Sequence, residues 1–295
     1  MTVDAPPFPT SLSPSRASDF MTCPLLFRFR SIDRLPEEPS AAAVRGTLVH
    51  RALETLFDLP AAERTPTAAA VLAEQALAEM ERDEPESARA IAAEPGDPVD
   101  VSALIAAYFA LEDPRRLEPH SRELGVRASV EPSFELRGFI DRVDVSPTGL
   151  VRIVDYKTGR SPGPGFESKA MFQMRFYALA WWRMTGQVPT LLRLMYLGNT
   201  ETLEYTPSEA DLLATERKVL ALREAIAQAA DAEQFDPTPS RLCDWCSHRA
   251  ICPAWGGTPP PLPPRAEWPT SSSRAGTSDE TSTDDDAVDT AQTGS

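Results

Sequence analysis

Long apolar runs are missing from this sequence. No stretch approaches the roughly 18 consecutive apolar residues of a membrane span, and Met1–Ser18 lacks a basic region followed by an apolar run, so a cytoplasmic protein with no membrane partner is expected. A phosphate loop of the form G-x-x-x-x-G-K-[S/T] is also missing, which excludes a helicase or ATPase motor within these residues. Cysteine and histidine are scarce, four and three respectively, so soft and imidazole metal ligands have few places to come from. Positive charge is in short supply: 29 Lys and Arg face 44 Asp and Glu, for a formal net charge of -15. That balance counts against whole-surface attraction to nucleic acid. Seven of the acids, against two bases, lie between Arg265 and Ser295, and clustered carboxylates are what a hard divalent cation needs. Net charge therefore says little about one groove. Local basic clusters occur at Arg28 and Arg30 and at Arg241, His248 and Arg249.

What is present suffices for a globular core: 42% of the 295 residues are hydrophobic. Apolar residues at helical spacing predict helices over roughly Ser15–Phe29, Ala41–Asp58, Thr67–Glu81 and Val99–Leu111. Gly125–Glu131, Phe134–Val145 and Leu150–Tyr156 are β-rich runs separated by turn formers, an antiparallel meander. A helix from about Ser168 to Thr185 precedes strands at Leu191–Leu197 and Thr202–Tyr205, joined at Gly198-Asn199. Thr206, Pro207 and Glu209 form a capping-box start for a last helix to about Ala230. Helices flanking a mixed sheet make an α/β fold. Residues 1–10 are expected to be a flexible N-terminus and 11–257 one domain. From Thr258 the Pro, Ser, Thr and Asp content predicts a disordered acidic tail to residue 295, with a solubility or partner-binding role.

The sharpest chemical signal is Gly138-Phe139-Ile140-Asp141-Arg142-Val143-Asp144 followed by Val154-Asp155-Tyr156-Lys157-Thr158-Gly159. In a strand, Asp155 and Lys157 share a face, as do Phe139, Asp141 and Val143 on the preceding one, and a short turn would bring Asp141 beside Asp155. Two adjacent carboxylates repel unless a cation lies between them, and Mg2+ or Mn2+ suits oxygen ligands. A lysine alongside can serve the attacking water or neutralise a phosphate in its transition state, so the set suits phosphodiester hydrolysis. Asp144 falls on the opposite face and reads as structural.

Cys243, Cys246 and Cys252 crowd into C-x2-C-x5-C, and Cys23 stands alone near the start. In a cytosolic protein four cysteines point to a metal site rather than disulfides, either Zn2+ or an iron-sulfur cluster. Tying residues so far apart would restrain the unfolded chain strongly.

With the two carboxylate-bearing runs quoted above, the sequence resembles the RecB-like PD-(D/E)XK nucleases over most of residues 10 to 255. Ser13–Arg30 resembles the family's opening helix, Gly46-Thr47-Leu48-Val49-His50 the segment carrying its histidine ligand, and Gln173-Met174-Arg175-Phe176-Tyr177 its Gln-x-x-x-Tyr helix. The resemblance implies a PD-(D/E)XK core and a Mg2+- or Mn2+-dependent exonuclease of repair or recombination, its partner DNA that is single-stranded or has free ends. His50, Asp141, Asp155 and Glu131 would be metal ligands, Lys157 would serve the water, and Gln173 and Tyr177 would contact DNA or position Lys157. It also implies a 4Fe-4S cluster on Cys23, Cys243, Cys246 and Cys252, as in AddB and the CRISPR-associated RecB-like exonucleases, and a helicase on a separate chain. The alternatives are a non-catalytic iron-sulfur DNA-binding or assembly module, a nuclease of CRISPR adaptation, and a zinc-stabilised hydrolase acting on something other than DNA.

Overall fold

The computed structural model describes residues 8–92, 100–163 and 167–269. It begins with a two-residue strand, β1 (Ser11–Leu12), and helices α1 (Pro14–Thr22) and α2 (Pro24–Ser31). The single helix expected over Ser15–Phe29 is thus two. Pro24 disfavours helical geometry in the residue before it, and Cys23 is extended at φ -164° and ψ 116°, which leaves it at a helix junction. Next come α3 (Ala41–Leu56), α4 (Pro66–Asp83), α5 (Pro85–Ala92) and α6 (Val101–Leu111). The Ser40 hydroxyl starts α3 by accepting from the Ala43 N–H. The short α5 has no counterpart in the sequence expectation; it follows Pro85, which preorganises a first helical turn.

Strands β2 (Ser121–Glu131), β3 (Phe134–Val145) and β4 (Val151–Lys157) form the expected antiparallel meander. Helix α7 (Glu167–Thr185) then crosses to β5 (Leu191–Tyr196), parallel to β4, and β6 (Glu201–Tyr205) returns antiparallel. Helix α8 (Glu209–Asp231) starts from Ser208, not Thr206. Ser208 and Asp211 cap one another reciprocally, a second capping box in the same stretch, and it is the one that forms.

The sheet runs β1-β3-β4-β5-β6, with β2 against the other edge of β3. Its two sides feed separate apolar clusters. Ile153 and Leu194 join Phe27, Met174, Phe176 and Leu212 in one cluster, whereas Val154, Tyr156 and Met195 join Val49, Leu53, Ile105 and Tyr108 in the other. Strand alternation dictates that split, since successive residues point to opposite faces. The fold is the expected α/β one, a mixed central sheet flanked by helices. Asp144, as anticipated, is structural, paired with Arg142 and Arg152.

Both chain-end expectations need correction. Phe8 is buried and sets its ring edge-on to Trp268 at 5.0 Å, and the Thr10 carbonyl accepts from Glu135 N at 3.0 Å. Beyond the expected boundary at Thr258, Arg28 donates to the Pro260 carbonyl at 2.5 Å and the Trp268 indole N–H donates to the Pro263 carbonyl at 2.8 Å. The proline run has little conformational freedom to lose on docking, and Leu262 and Trp268 anchor it. Residues 1–7 and 270–295 of those two expected segments lie outside the described residues.

Candidate metal and active site

The site forms where β3 parts from its neighbours. Along one edge, β4 pairs with β3 only over Arg142–Val145, and β1 pairs only with Glu135 and Leu136, so Asp141 sits just past the last β3–β4 rung. There its Oδ2 accepts the Tyr156 N–H at 2.8 Å, a side chain standing in for the next ladder bond. Asp155 and Lys157 share a face of β4, as period-2 alternation required, and the Lys157 ammonium lies 2.7 Å from Asp155 Oδ2. Asp155 is 2% exposed, so this cation is its chief compensation.

Helix α7 adds the second tier. Gln173 accepts from Lys157 Nζ at 2.9 Å, donates through Nε2 to Asp155 Oδ1 at 2.9 Å and reaches the Tyr177 hydroxyl at 3.4 Å. It therefore bridges the lysine and the carboxylate. Tyr177 leans over Gly138, where a side chain would place its Cβ 2.9 Å from the tyrosine ring. Burial pushes the Tyr177 hydroxyl up to about 12, which keeps it a neutral hydrogen-bonding group.

His50, on α3, turns its Nε2 to the Tyr156 carbonyl at 3.0 Å. A carbonyl only accepts, so Nε2 carries the proton and Nδ1 presents its lone pair to Asp141 Oδ2, 3.5 Å away. Burial lowers the His50 pKa, which favours this neutral form. A lone pair facing a carboxylate is repulsive until a cation enters between them.

One acid escaped the sequence reading. Glu123 joins His50 and Asp141 in a group whose ligand atoms lie within 4.8 Å of one another. It stands opposite Asp141 in the β2–β3 register, at the rung missing between Arg122–Arg142 and Leu124–Ile140. Its backbone is left-handed there, φ 41°, a strained state for a glutamate and a frequent companion of functional sites. Glu123, Asp141 and Asp155 thus lie abreast on three adjacent strands. Counting the register back from the β2–β3 turn would have found Glu123, but Pro132 obscures where that turn begins. Glu131, the acid chosen from sequence, is at the far end of β2 and is ion-paired to Arg223. It is not part of this group.

Burial, with Asp155 next to it, pushes the Asp141 carboxyl well above the usual carboxylate range. Burial, with Glu54 and Asp155, likewise raises Glu123. A carboxyl raised on folding contributes stability below its unfolded value and loses it as pH rises through the raised one. At neutral pH these acids therefore work against the fold, and a divalent cation offsets the cost. The donor set of imidazole nitrogen and carboxylate oxygens fits Mg2+ or Mn2+. Saturating Mn2+ at about 100 times its Kd should stabilise the protein by about 2.7 kcal/mol, a rise in Tm of roughly 5–10 °C by scanning fluorimetry. Asp141→Asn should abolish the rise and Glu123→Gln should reduce it, while Glu131→Gln should leave it intact.

Cys23, far off in sequence, joins Cys243, Cys246 and Cys252 in lining one pocket beside Phe29 and His248. Cys23, at the α1–α2 junction, accepts from Thr238 N at 3.4 Å, and Cys243 accepts from Ser240 N at 3.3 Å. Burial raises the Cys246 thiol against a lowering hydrogen bond from the His248 backbone, and the other three cysteines add to the rise.

The family model described as the PD-(D/E)XK nuclease superfamily matches residues 11–253. No curated protein matches the chain. Among solved structures, the protein SSO0001 is similar, at 13% identity over 83% of this chain and 87% of that one, with a TM-score of 0.40. A protein from Eubacterium rectale named as an exonuclease is similar at 12% identity, over 81% of this chain and 88% of its own, with a TM-score of 0.44. Among the described residues, no helix is long and apolar enough to cross a membrane.

Proposed function

The chain belongs to the PD-(D/E)XK nuclease superfamily, and from that premise we propose that it is a RecB-like DNA exonuclease that uses Mg2+ or Mn2+ to process DNA ends in repair or recombination. The observation that carries the reading is the juxtaposition of His50, Glu123 and Asp141 with the Asp155–Lys157–Gln173 triplet. A cation held by His50, Asp141 and Asp155, with Glu123 alongside, would polarise a phosphoryl oxygen and lower the pKa of a bound water. The protein's own part is positional. Lys157 supplies positive charge and a proton-bearing group at the carboxylates, Gln173 fixes it, and Tyr177 backs Gln173.

The four cysteines are assigned to a 4Fe-4S cluster that clasps the two ends of the domain. Cys23 and Cys243 each accept a backbone N–H, the kind of donor that meets cluster-bound thiolates. Cys23→Ala should remove the visible absorption of anaerobically purified protein and lower its Tm markedly, because the clasp joins helix α1 to the C-terminal turns. A variant that lacks iron but melts with the wild type would refute a structural cluster. Cytoplasmic location and a separate helicase chain complete the proposal.

The direct test incubates anaerobic protein with end-labelled single- and double-stranded DNA and Mg2+ or Mn2+. Stepwise shortening from one end supports the exonuclease reading. Intact DNA in the presence of cluster-loaded protein that does bind Mn2+ would redirect it toward an assembly module.

A further inference from the structure

Phe139 is an anomaly on β3. It is 63% exposed, in a strand whose other large apolar residues near the site are buried, and it is two residues from Asp141 on the same face. It is the strand partner of Gly125, and a Cβ built at Gly125 would stand 3.5 Å from the Phe139 ring edge, so the ring lies along a floor with no side chain of its own. Two depressions meet at this ring. One holds Asp141, Lys157 and Tyr177, and the other holds His50 and Glu123. Phe139 lines both depressions, so a strand laid from one to the other would run beside its ring.

We infer that Phe139 is a stacking platform for an unpaired nucleobase adjoining the phosphate that is cut, and that it biases the enzyme toward single-stranded or frayed DNA. This rests on the nuclease reading above. Strand rise puts Cα atoms two residues apart at about 6.6–6.8 Å, comparable with the distance from a phosphate to the base beside it. An aromatic face accepts any base, because every base has a π-face, so the platform is indifferent to sequence. It is not open to a base paired within a duplex, both of whose faces are covered by stacked neighbours. Phe139 is thus a specificity-determining residue and takes no part in bond breaking.

The test uses single-stranded oligonucleotides carrying 2-aminopurine near one end, mixed with protein in EDTA so that nothing is cleaved. Wild type and Phe139→Trp should quench the probe on binding, and Phe139→Ala and Phe139→Leu should not. Affinity for single strands should fall by roughly 5- to 100-fold in the alanine variant, and under turnover the loss should appear in KM more than in kcat. Leucine preserves the apolar cover over Gly125, so a structural role would be rescued by leucine, whereas stacking is rescued only by tryptophan. Equal quenching and affinity for Phe139→Ala and wild type would overturn the inference while leaving the nuclease intact. A wild type that neither binds nor cleaves DNA would overturn the nuclease reading first, and a blunt duplex held as tightly as a single strand would overturn the bias.

Discussion

Lys157→Ala should reduce hydrolysis of DNA by about 10³-fold while leaving the Mn2+-induced rise in Tm in place. Loss of one preorganised charged donor, or of one acid-base group, from a developing transition state typically costs 10²–10⁴ in rate. Here the ammonium serves two partners at once, Asp155 Oδ2 at 2.7 Å and Gln173 Oε1 at 2.9 Å. Removing it leaves the carboxylate group more negative overall, so a divalent cation should bind no worse. Asp155→Asn is the necessary contrast, because it removes a proposed ligand and should diminish both the metal response and the cleavage. Single-turnover cleavage of labelled DNA beside scanning fluorimetry separates the two. A Lys157→Ala protein within tenfold of wild type would move the attack-assisting role to another residue.

The largest loss of stability should come from a residue on the opposite side of the sheet. Glu112→Ala is expected to cost about 3–5 kcal/mol, a fall in Tm of roughly 10 °C or more. The Arg142 side chain is 1% exposed and forks both terminal nitrogens onto Glu112, at 2.7 and 2.9 Å, with Nη1 also donating to the Tyr156 hydroxyl at 2.7 Å. Arg152 and Arg193 approach the same Glu112 Oε2 at 3.6 and 3.4 Å. Burial alone would raise the Glu112 carboxyl, but the Arg142 hydrogen bonds and charge, with Arg152, outweigh it and hold the group low. A carboxyl lowered on folding contributes stability above its unfolded value and loses it as pH falls through the lowered one, so the cost of the mutation should shrink in acid. Asp144, 3.1 Å from Arg142 Nε, softens the loss without cancelling it. Replacing both partners by Arg142→Met with Glu112→Leu should recover most of the deficit, since the damage comes from an orphaned buried charge rather than from a missing attraction. Chemical denaturation of the single and double variants decides it. A single variant as stable as wild type would mean that water or Asp144 already compensates Arg142.

Much of this was legible before the fold. The pairing of Asp155 with Lys157 follows from strand geometry alone, as does the split of Ile153 and Val154 between two cores. Apart from β1, α5 and the break between α1 and α2, the order of elements followed from apolar periodicity and turn residues, and the isolation of Asp144 from the site followed from its parity. Other features lay out of reach. The family resemblance made Glu131 a candidate ligand, as an acid on the strand before the Gly-x-x-Asp strand, yet Arg223, distant in sequence, claims it. The capping of α8 by Ser208 instead of Thr206 turned on a choice between two adequate local solutions. The docking of Trp268 on Phe8 and Phe235 joins chain segments that composition treats as loose ends.

The division has a physical basis. Sequence by itself determined whatever depends on the fixed periods of strand and helix: which residues share a face, which runs are strands, where Asp141, Asp155 and Lys157 stand in their own elements, and that cysteines cluster near residue 250. Tertiary structure alone decided what depends on register and on contacts between distant segments. It set Glu123 abreast of Asp141 through a single strained residue, turned His50 so that Nδ1 faces the carboxylate, and closed Cys23 onto the C-terminal turns. A one-residue slip of β2 would exchange every face and remove Glu123 from the group. No local pattern records that register, because it is fixed by packing on both sides of the sheet at once.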